Sequence, residues 1–294
     1  MVPMTIDLHK LGHLIAVAEE GGFTRGARRL HLSQQALSTS IRALEREVGV
    51  ELLDRSGSSL RVLPAGEALI ADARLLHGAA RSALQRARRI GRGETEVLRI
   101  GHTPAVTGDE VTALLRRAHD VQPELSTQVN QRYPAELTEQ LIAGELDLGL
   151  CRGMAPERGL TRTTLAHHRL RVAVASDHRL ARRESVELDE LAGETIMVWG
   201  RPGSSGYTDL LIDSCRRAGF EPEVRRNPIQ GTPPTTAVQG TDHVAFVTAA
   251  AGAAPGGSVR VLELLPPTFV PLHALWPQHT SSEAREDFLA AADV

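Results

Sequence analysis

The sequence is poor in the residues and runs that mark several protein classes. Only two of its 294 residues are cysteines, so a disulfide framework is excluded. Only 3% are aromatic, so the core must consist mainly of Leu, Val, Ile and Ala. No apolar run is long enough to span a bilayer, and the N-terminus has no basic-then-apolar signal region. We therefore expect a globular cytoplasmic protein with no membrane partner. Cys151 and Cys215 are expected to be small buried hydrophobes, with a redox-sensing pair as the alternative.

Motifs of catalysis and metal binding are also missing. The chain has 12 histidines, but His167, His168, His178 and His273 show no HExxH or Cys/His ligand spacing. There is no Gly-x-Ser-x-Gly elbow, no P-loop and no cysteine beside a candidate histidine base. The sequence therefore disfavours an enzyme and predicts no catalytic residue, metal or cofactor.

Charge is distributed unevenly along the chain. The first 90 residues carry 13 basic and 9 acidic side chains, and the remainder carries 20 and 27. A basic N-terminal part joined to an acidic body indicates that one region meets nucleic acid.

Residues 23–45 have the pattern of a short helix, a tight turn and a second helix that is apolar on one side. The apolar side chains of the second helix recur at i, i+4, i+7 and i+11, which predicts one stripe that packs on Ala27 and Leu30. Ser33 is placed to cap this helix. The stripe consists of Leu37, Ile41, Leu44 and Val48.

The opposite face of the second helix is polar toward its N-terminus. Such side chains hydrogen-bond base edges and phosphates when a helix of this kind enters the major groove. The alternative is a solvated face on an ordinary helical hairpin, because helix-turn-helix patterns are short. The predicted DNA-binding residues are Thr24 and Arg25 of the first helix, together with Ser33, Gln34, Gln35, Ser38, Thr39 and Arg42.

Two short strands around a Gly/Ser turn at residues 56–59 are predicted to form a wing. Arg55 and Arg61 lie on it, where a phosphate backbone would pass, so both are predicted phosphate contacts. Ordinary surface arginines are the alternative.

A long helix is predicted from Ala65, because apolar residues alternate in steps of four and three over three heptads. The rest of its surface is rich in arginine, and its alanines would let two helices approach closely. We therefore predict dimerisation, which suits palindromic DNA, although the seam could instead pack on its own domain. The seam residues are Leu69, Ala73, Leu76, Ala80, Ala83, Ala87 and Ile90.

Past a predicted hinge at residues 91–95, strand and helix patterns alternate, which indicates an α/β fold. The first set forms a βαβαβ half, with strands at 97–101, 126–130 and 146–151 and helices at 110–120 and 137–144. The second set has strands at 170–175, 195–199, 223–226, 244–247 and 269–276 and helices at 208–218 and 282–291.

Residues 8–67 resemble the winged helix-turn-helix of the LysR-type transcriptional regulators, and the rest of the chain resembles that family's effector-binding domain. The resemblance implies a DNA-binding head at 1–64 and a linker and dimerisation helix with a hinge at 65–96. A two-lobed, periplasmic-binding-protein-like α/β domain follows at 97–294, with lobe I at 97–167 and 268–294 and lobe II at 168–267. The residues that carry the resemblance in the head are Ala16–Thr24, Ala27, Leu30, Ser33, Gln34, Ala36–Ser38, Ile41, Leu44, Glu45, Gly49, Arg55 and Pro64–Glu67.

The chain departs from the family pattern at several positions. Gly26 stands where the family usually has Ala, which should soften the first reading helix by up to about 1 kcal/mol. Leu63, where Thr is usual, cannot cap the linker helix, and this removes about 1 kcal/mol. Gln35 replaces a common Pro and should alter base preference.

Ligands of open α/β sheets bind beyond the C-terminal ends of strands, where helix N-termini offer free N–H groups. Hydroxyls of Thr103, Ser204 and Ser205 could hydrogen-bond a small anion that Arg152 or Arg201 neutralises. Alternatively, the serines cap helices and the arginines face solvent. Pro134 and Thr248 depart from the family's usual residues, so no relative's ligand is carried over. The predicted effector-binding residues are His102, Thr103, Tyr133, Pro134, Arg152, Arg201, Ser204, Ser205 and Thr248.

The sequence therefore predicts a homodimeric, or homotetrameric, transcriptional regulator that binds double-stranded promoter DNA and a small-molecule effector, and contacts RNA polymerase if it activates. Two other classes stay open. A ligand-independent repressor would use the lobes only for oligomerisation, and a periplasmic solute receptor would explain the lobes but not the head. An effector must favour one arrangement of the protein, because a ligand that binds both equally shifts nothing.

Overall fold

The computed structural model describes residues 7–56, 60–229, 234–254 and 256–292. The chain divides into two compact units, Met1–Gly93 with Ile142–Glu145, and Glu94–Leu141 with Leu146–Val294. We call the first the head unit and the second the two-sheet unit.

Among its described residues, the head unit has four helices and a two-stranded antiparallel sheet. Aliphatic side chains of these four helices form its core. The two strands flank the predicted wing turn, of which residues 57–59 lie outside the described residues. The elements are α1 (Leu8–Glu19), α2 (Phe23–Arg29), α3 (Gln34–Val48), β1 (Leu53–Asp54), β2 (Arg61–Val62) and α4 (Pro64–Arg92).

Helix α3 begins at the predicted cap and ends at a glycine. The Ser33 hydroxyl accepts a hydrogen bond from the Ala36 N–H at 3.1 Å, and Gly49 ends the helix in the left-handed region, at a φ of 83°. Leu37 is buried, as are Ile41 and Leu44. The prediction that Val48 belongs to this stripe is wrong, because Val48 lies in the last turn and is 45% exposed.

Gly26 has a packing role that its helix propensity does not reveal. A Cβ at this position would lie 3.2 Å from the Val17 Cα and 3.3 Å from the Ala16 carbonyl oxygen. The glycine therefore lets α2 pack closely on α1, which offsets the lower helix propensity that the sequence predicts.

Helix α4 starts at Pro64 without a side-chain cap from Leu63, as predicted. It continues through Gly91 to Arg92 and ends at Gly93, whose φ is 63°. The helix thus includes the first two residues of the predicted hinge.

The first sheet of the two-sheet unit has five strands in the order β4-β3-β5-β14-β6. The first three are parallel, and β14 runs antiparallel to both β5 and β6. This sheet and its helices form lobe I, whose elements are β3 (Val97–His102), α5 (Gly108–Val121), β4 (Ser126–Gln131), α6 (Pro134–Ile142), β5 (Leu148–Cys151), β6 (Leu160–Arg169), β14 (Phe269–Pro277) and α8 (Glu283–Ala292).

The second sheet has seven strands in the order β10-β9-β11-β7-β13-β12, with β8 paired to β13. It forms lobe II together with α7 and two short 3₁₀ helices. The elements are β7 (Arg171–Ala175), β8 (Ser185–Glu187), β9 (Thr195–Val198), α7 (Gly206–Arg217), β10 (Glu223–Arg226), β11 (Val244–Val247), β12 (Gly252–Ala253) and β13 (Val259–Leu265), with 3₁₀ turns at Leu188–Gly193 and Pro234–Thr236.

The chain crosses from lobe I to lobe II between β6 and β7 and returns between β13 and β14, close to the predicted crossings. Strands β6, β8, β12 and β13 were not predicted. Strand β6 alternates poorly in its sequence, with exposed threonines and an exposed His167, and is recognisable only through its long pairing with β14. Within the described residues, no helix is long and apolar enough to cross a membrane.

Candidate functional site

The N-terminal half of α3 carries its polar side chains outward. Gln34, Gln35, Thr39 and Arg42 are exposed, and Ser38 is half-buried. They stand opposite the buried Leu37 stripe, so α3 keeps an uncovered hydrogen-bonding face within the head unit.

The other predicted head residues flank this face. Thr24 and Arg25 on α2 are exposed, and the Thr24 hydroxyl donates to the Gln34 side-chain oxygen at 3.3 Å. Ser33 is a helix cap, and its hydroxyl oxygen is occupied by the Ala36 N–H. The structure thus brings Thr24 beside Gln34 and gives Ser33 a structural role.

Arg55 contacts side chains of two other elements of the head unit, which the sequence did not predict. Its guanidinium donates to Glu45 at 2.7 Å and lies 5.3 Å from the ring centre of Phe23. The second oxygen of Glu45 accepts the backbone N–H groups of Leu52 and Leu53. Arg55 is therefore fixed between α2, α3 and the wing, and is not a free surface arginine.

Arg61 is the more exposed arginine of the wing. It donates to Asp54 at 2.9 Å, and 72% of its side chain is exposed. Hydrogen bonds from Ser56, with the Arg61 pair, lower the pKa of Asp54 to about 2. The carboxylate stays charged and orients Arg61 on the strand.

The predicted seam of α4 divides into two parts. Ala73 is fully buried and Leu69 packs beside it in the head core, so including Ala73 in a dimer seam is wrong, because the chain's own helices cover it. Farther along, Leu76 is 43% exposed and Ile90 is 68% exposed. Ala83 and Ala87 are exposed, and Ala80, about one turn before Ala83, is half-buried.

A cavity of about 250 Å³ lies between lobe I and lobe II. Its wall is mostly apolar and comes from the loops after the strands of both sheets. Seven of the predicted effector-binding residues line it, namely Thr103, Tyr133, Pro134, Arg152, Arg201, Ser204 and Ser205.

Two predicted residues do not line this cavity. The His102 Nδ1 atom lies 3.2 Å from the Thr103 carbonyl and 3.0 Å from the Val106 carbonyl, so the ring is held by the backbone of its own loop. Thr248 is half-buried and lies outside the described lining. A position at the end of a strand, or directly after it, is therefore not sufficient to place a side chain in the cleft.

Sequence reasoning missed several lining residues, among them Met154, Trp199, Tyr207 and Arg226. Arg226 is the last residue of β10, so the rule that placed Arg152 would have found it as well. Its Nε donates to the Trp199 carbonyl at 3.3 Å. Burial raises the pKa of Tyr207 to about 12, so the phenol is a neutral hydrogen-bonding group.

Arg152 is bound within lobe I. Its side chain is fully buried and donates to Glu110 at 2.7 Å, while His168 Nδ1 lies 2.6 Å from both partners. Burial opposes the charge of Glu110, but the His168 hydrogen bond and the Arg152 charge outweigh it and hold the pKa of Glu110 well below its usual range. The predicted role of Arg152 as a free counter-charge is therefore wrong, because Glu110 already neutralises it.

Thr103 and Ser205 differ in what they offer a ligand. Thr103 is 3% exposed, and its hydroxyl has no hydrogen-bond partner. The Ser205 hydroxyl caps α7 by accepting the Thr208 N–H, as the alternative interpretation of the serines held. Thr103 is thus a buried polar group on the cavity wall that still lacks a partner.

The two lobes touch through glycine backbones beside the cavity. A Cβ on Gly206, the first residue of α7, would lie 1.9 Å from the carbonyl oxygen of Gly153 in lobe I. Gly153 has a φ of 66°, which also favours glycine. Only a glycine at position 206 permits this approach of the lobes.

These features define a class of protein: a DNA-binding winged helix-turn-helix joined to a two-lobed α/β domain with a ligand-sized cleft. Residues 8–67 match the family described as a bacterial regulatory helix-turn-helix protein of the lysR family, and residues 91–293 match the LysR substrate binding domain. The chain belongs to the LysR family of transcriptional regulators, which are DNA-binding proteins with an effector-binding domain and not enzymes.

Curated relatives align over most of their own length. The HTH-type transcriptional regulator YnfL of Escherichia coli strain K12 is 34% identical over 225 residues, 75% of each chain. TfdS of Cupriavidus pinatubonensis is 33% identical over 219 residues, 74% of each chain.

Solved structures agree in fold. Full-length CbnR complexed with its target DNA has a TM-score of 0.63 at 24% identity, covering 98% of this chain and 99% of CbnR. A full-length OxyR variant from Pseudomonas aeruginosa, with one cysteine replaced by aspartate, has a TM-score of 0.62 at 21% identity, covering 99% of this chain and 95% of OxyR.

Proposed function

We propose that the chain regulates transcription by reading promoter DNA with the exposed polar face of α3, and that a small anionic effector in the cleft between the lobes modulates this binding. The observation that carries the DNA-reading role is the division of α3 into a buried apolar stripe and an uncovered polar N-terminal face. In this proposal the head is 1–64, the linker helix and hinge 65–96, and the effector domain 97–294.

The residues proposed to read bases are those of α3 that keep free hydrogen-bonding groups. Gln34, Gln35 and Thr39 are exposed, and Ser38 is half-buried, at the end of the helix that enters a groove first. Arg42, Arg25 and the wing Arg61 are exposed cations suited to phosphates.

We also propose that α4 pairs with α4 of a second copy, through the exposed apolar residues from Leu76 to Ile90. The exposure of large aliphatic side chains on a helix that also carries many arginines supports this, since such a stripe otherwise stays in contact with water. Pairing of dimers into tetramers, and contact with RNA polymerase by an activator, belong to the same proposal.

Anion binding in the cleft is supported by its charge. No acidic residue lines the described cavity, while Arg201 and Arg226 do. Burial of both cysteines argues against the alternative of a redox-sensing pair. Burial raises the pKa of Cys151 to about 12 and that of Cys215 to about 11, so neither is a ready thiolate at neutral pH.

The test of the DNA-reading role compares specific and random DNA. Footprinting upstream of the protein's own gene defines the operator, and Gln34→Ala and Ser38→Ala are each expected to weaken operator binding by about 1 to 3 kcal/mol more than binding to random DNA. Gln85→Ala, which removes an exposed glutamine from α4 instead, serves as the matched control. Equal losses on both DNAs would show that α3 does not read sequence.

A ligand-independent repressor remains the competing function. Under this alternative, promoter output changes with growth conditions, but small molecules from those conditions leave operator affinity unchanged. Operator affinity is measured with a cell metabolite extract before and after dialysis removes its small molecules. The two functions predict different results, because only an effector-dependent regulator should respond to the dialysis.

A further inference from the structure

The size of the cleft limits what it can hold. A dry cavity of about 150 Å³ accepts benzene, and this cavity measures about 250 Å³. The space therefore fits a six-membered ring with small substituents.

The wall selects an apolar body. Its largest side chains are Tyr133 from lobe I and Trp199 and Tyr207 from lobe II, and Pro134 and Met154 of lobe I also line it. Flat aromatic and proline surfaces pack well against the faces of a planar ring.

The charge at the cleft selects an anion, and it comes from two side chains. Glu110 neutralises the buried Arg152. Arg201 and Arg226 also line the cavity, are exposed, and have no carboxylate partner among the described residues. An arginine fork matches a carboxylate, so these two residues would hold it at the solvent side of the cavity.

The buried wall requires one more polar group. The Thr103 hydroxyl is buried and unpartnered. A ligand that fills the cavity with carbon alone would leave this hydroxyl unsatisfied, whereas a hydroxyl or carbonyl substituent would complete it.

We propose that the effector is a monocyclic carboxylate with a hydroxyl or carbonyl group on its ring. The ring lies between Tyr133 and Tyr207, the carboxylate pairs with Arg201 and Arg226, and the ring substituent hydrogen-bonds Thr103. This inference rests on the proposed function in one respect only, the placement of the effector in this cleft.

The binding test uses the tryptophan that the cleft itself contains. The chain has two tryptophans, so in the full-length Trp276→Phe protein the fluorescence reports on Trp199 alone, and the phenyl ring still faces Arg285. The probes are the three hydroxybenzoate isomers, benzoate, the three hydroxybenzamides and succinate. At least one hydroxybenzoate should quench Trp199 fluorescence in a saturable way. Benzoate and the matching amide should each bind with an affinity at least about tenfold lower. Succinate should show no saturation.

Three variants assign the contacts. Arg226→Gln and Arg201→Gln should remove most of the preference for hydroxybenzoate over the matching amide. Thr103→Val, which keeps the shape of the side chain, should bind benzoate and hydroxybenzoate equally. As a control, Arg182→Gln removes an exposed arginine of lobe II that does not line the described cavity, and it should leave every affinity unchanged.

The outcomes separate this inference from the proposed function. The inference is overturned if no ring acid saturates, if the amide binds as tightly as the acid, or if succinate binds more tightly than every ring acid. If another ligand quenches Trp199 and changes operator affinity, the proposed function stands and the inference fails. If a hydroxybenzoate binds as described without changing operator affinity, the inference stands and the proposed coupling fails.

Discussion

At the scale of single residues, the buried ion pair of Glu110 and Arg152 in lobe I depends on both partners being charged. A fully buried guanidinium is tolerated only while its counter-charge is present, because an unpaired charge in the interior has lost its hydration. Glu110 also accepts the Thr107 N–H at the start of α5, so one carboxylate caps a helix and neutralises Arg152.

Replacing Glu110 with Gln should therefore destabilise the effector domain by about 3 to 5 kcal/mol at neutral pH. The folded state lowers the pKa of Glu110 from its ordinary value of 4.5, so its ionisation stabilises the fold fully above that value. This contribution is lost as the pH falls through the lower folded pKa. Urea unfolding of the wild type and Glu110→Gln should show a gap that is constant near neutrality and narrows in acid.

Glu139→Gln is the control for this measurement, since Glu139 is exposed on α6 of the same lobe. It should change stability little at any pH. A gap for Glu110→Gln that is equally wide in strong acid would mean that lost packing, and not lost charge, causes the effect.

At the scale of elements, α4 has two functions along its length. Its first turns complete the core of the head unit through Ile70 and Ala73, and its later turns present an apolar stripe. A heptad pattern in the sequence does not distinguish these uses, because both need apolar residues at the same spacing.

Leu76→Asp should abolish dimerisation and lower operator affinity with it, because the substitution places an unpaired charge where two helices would meet. Ala71→Asp adds the same charge to an exposed position on another side of α4 and should keep the dimer. Analytical ultracentrifugation of both full-length variants, with a gel shift on the operator, measures the difference. A dimeric Leu76→Asp protein with normal operator binding would contradict the proposed interface.

At the scale of the whole molecule, regulation requires that ligand binding change an equilibrium between arrangements of the protein. The Gly153 and Gly206 contact between the lobes is a place where such an equilibrium can be shifted by one methyl group. The Cβ of an alanine at 206 would collide with the Gly153 carbonyl, so the lobes must separate there.

Gly206→Ala should therefore expose the cleft without altering its binding groups. Hydrogen exchange of the backbone amides of Thr103, Ala105, Tyr133 and Ala135, which lie across the cleft, should accelerate. Gly193→Ala is the matched control, because a Cβ there meets nothing within 4 Å. Unchanged exchange in Gly206→Ala would show that this contact does not hold the lobes together.

The sequence by itself determined what depends on neighbours along the chain. The Ser33 cap, the Gly49 stop and the buried face of α3 follow from local hydrogen bonding and a periodicity of 3.6 residues. The βαβαβ pattern of lobe I and the placement of Thr103, Tyr133 and Arg201 at the cleft follow from the rule for strand ends.

The tertiary structure decided what depends on residues far apart in sequence. Glu110, Arg152 and His168 come from three separate elements, so no local pattern announces that Arg152 is already neutralised. Strand β6 exists because β14 pairs with it, and Ala73 is buried because it lies in the core of the head unit. Periodicity fixes which face of an element is apolar, but only packing decides whether that face meets the same chain, a second copy or a ligand.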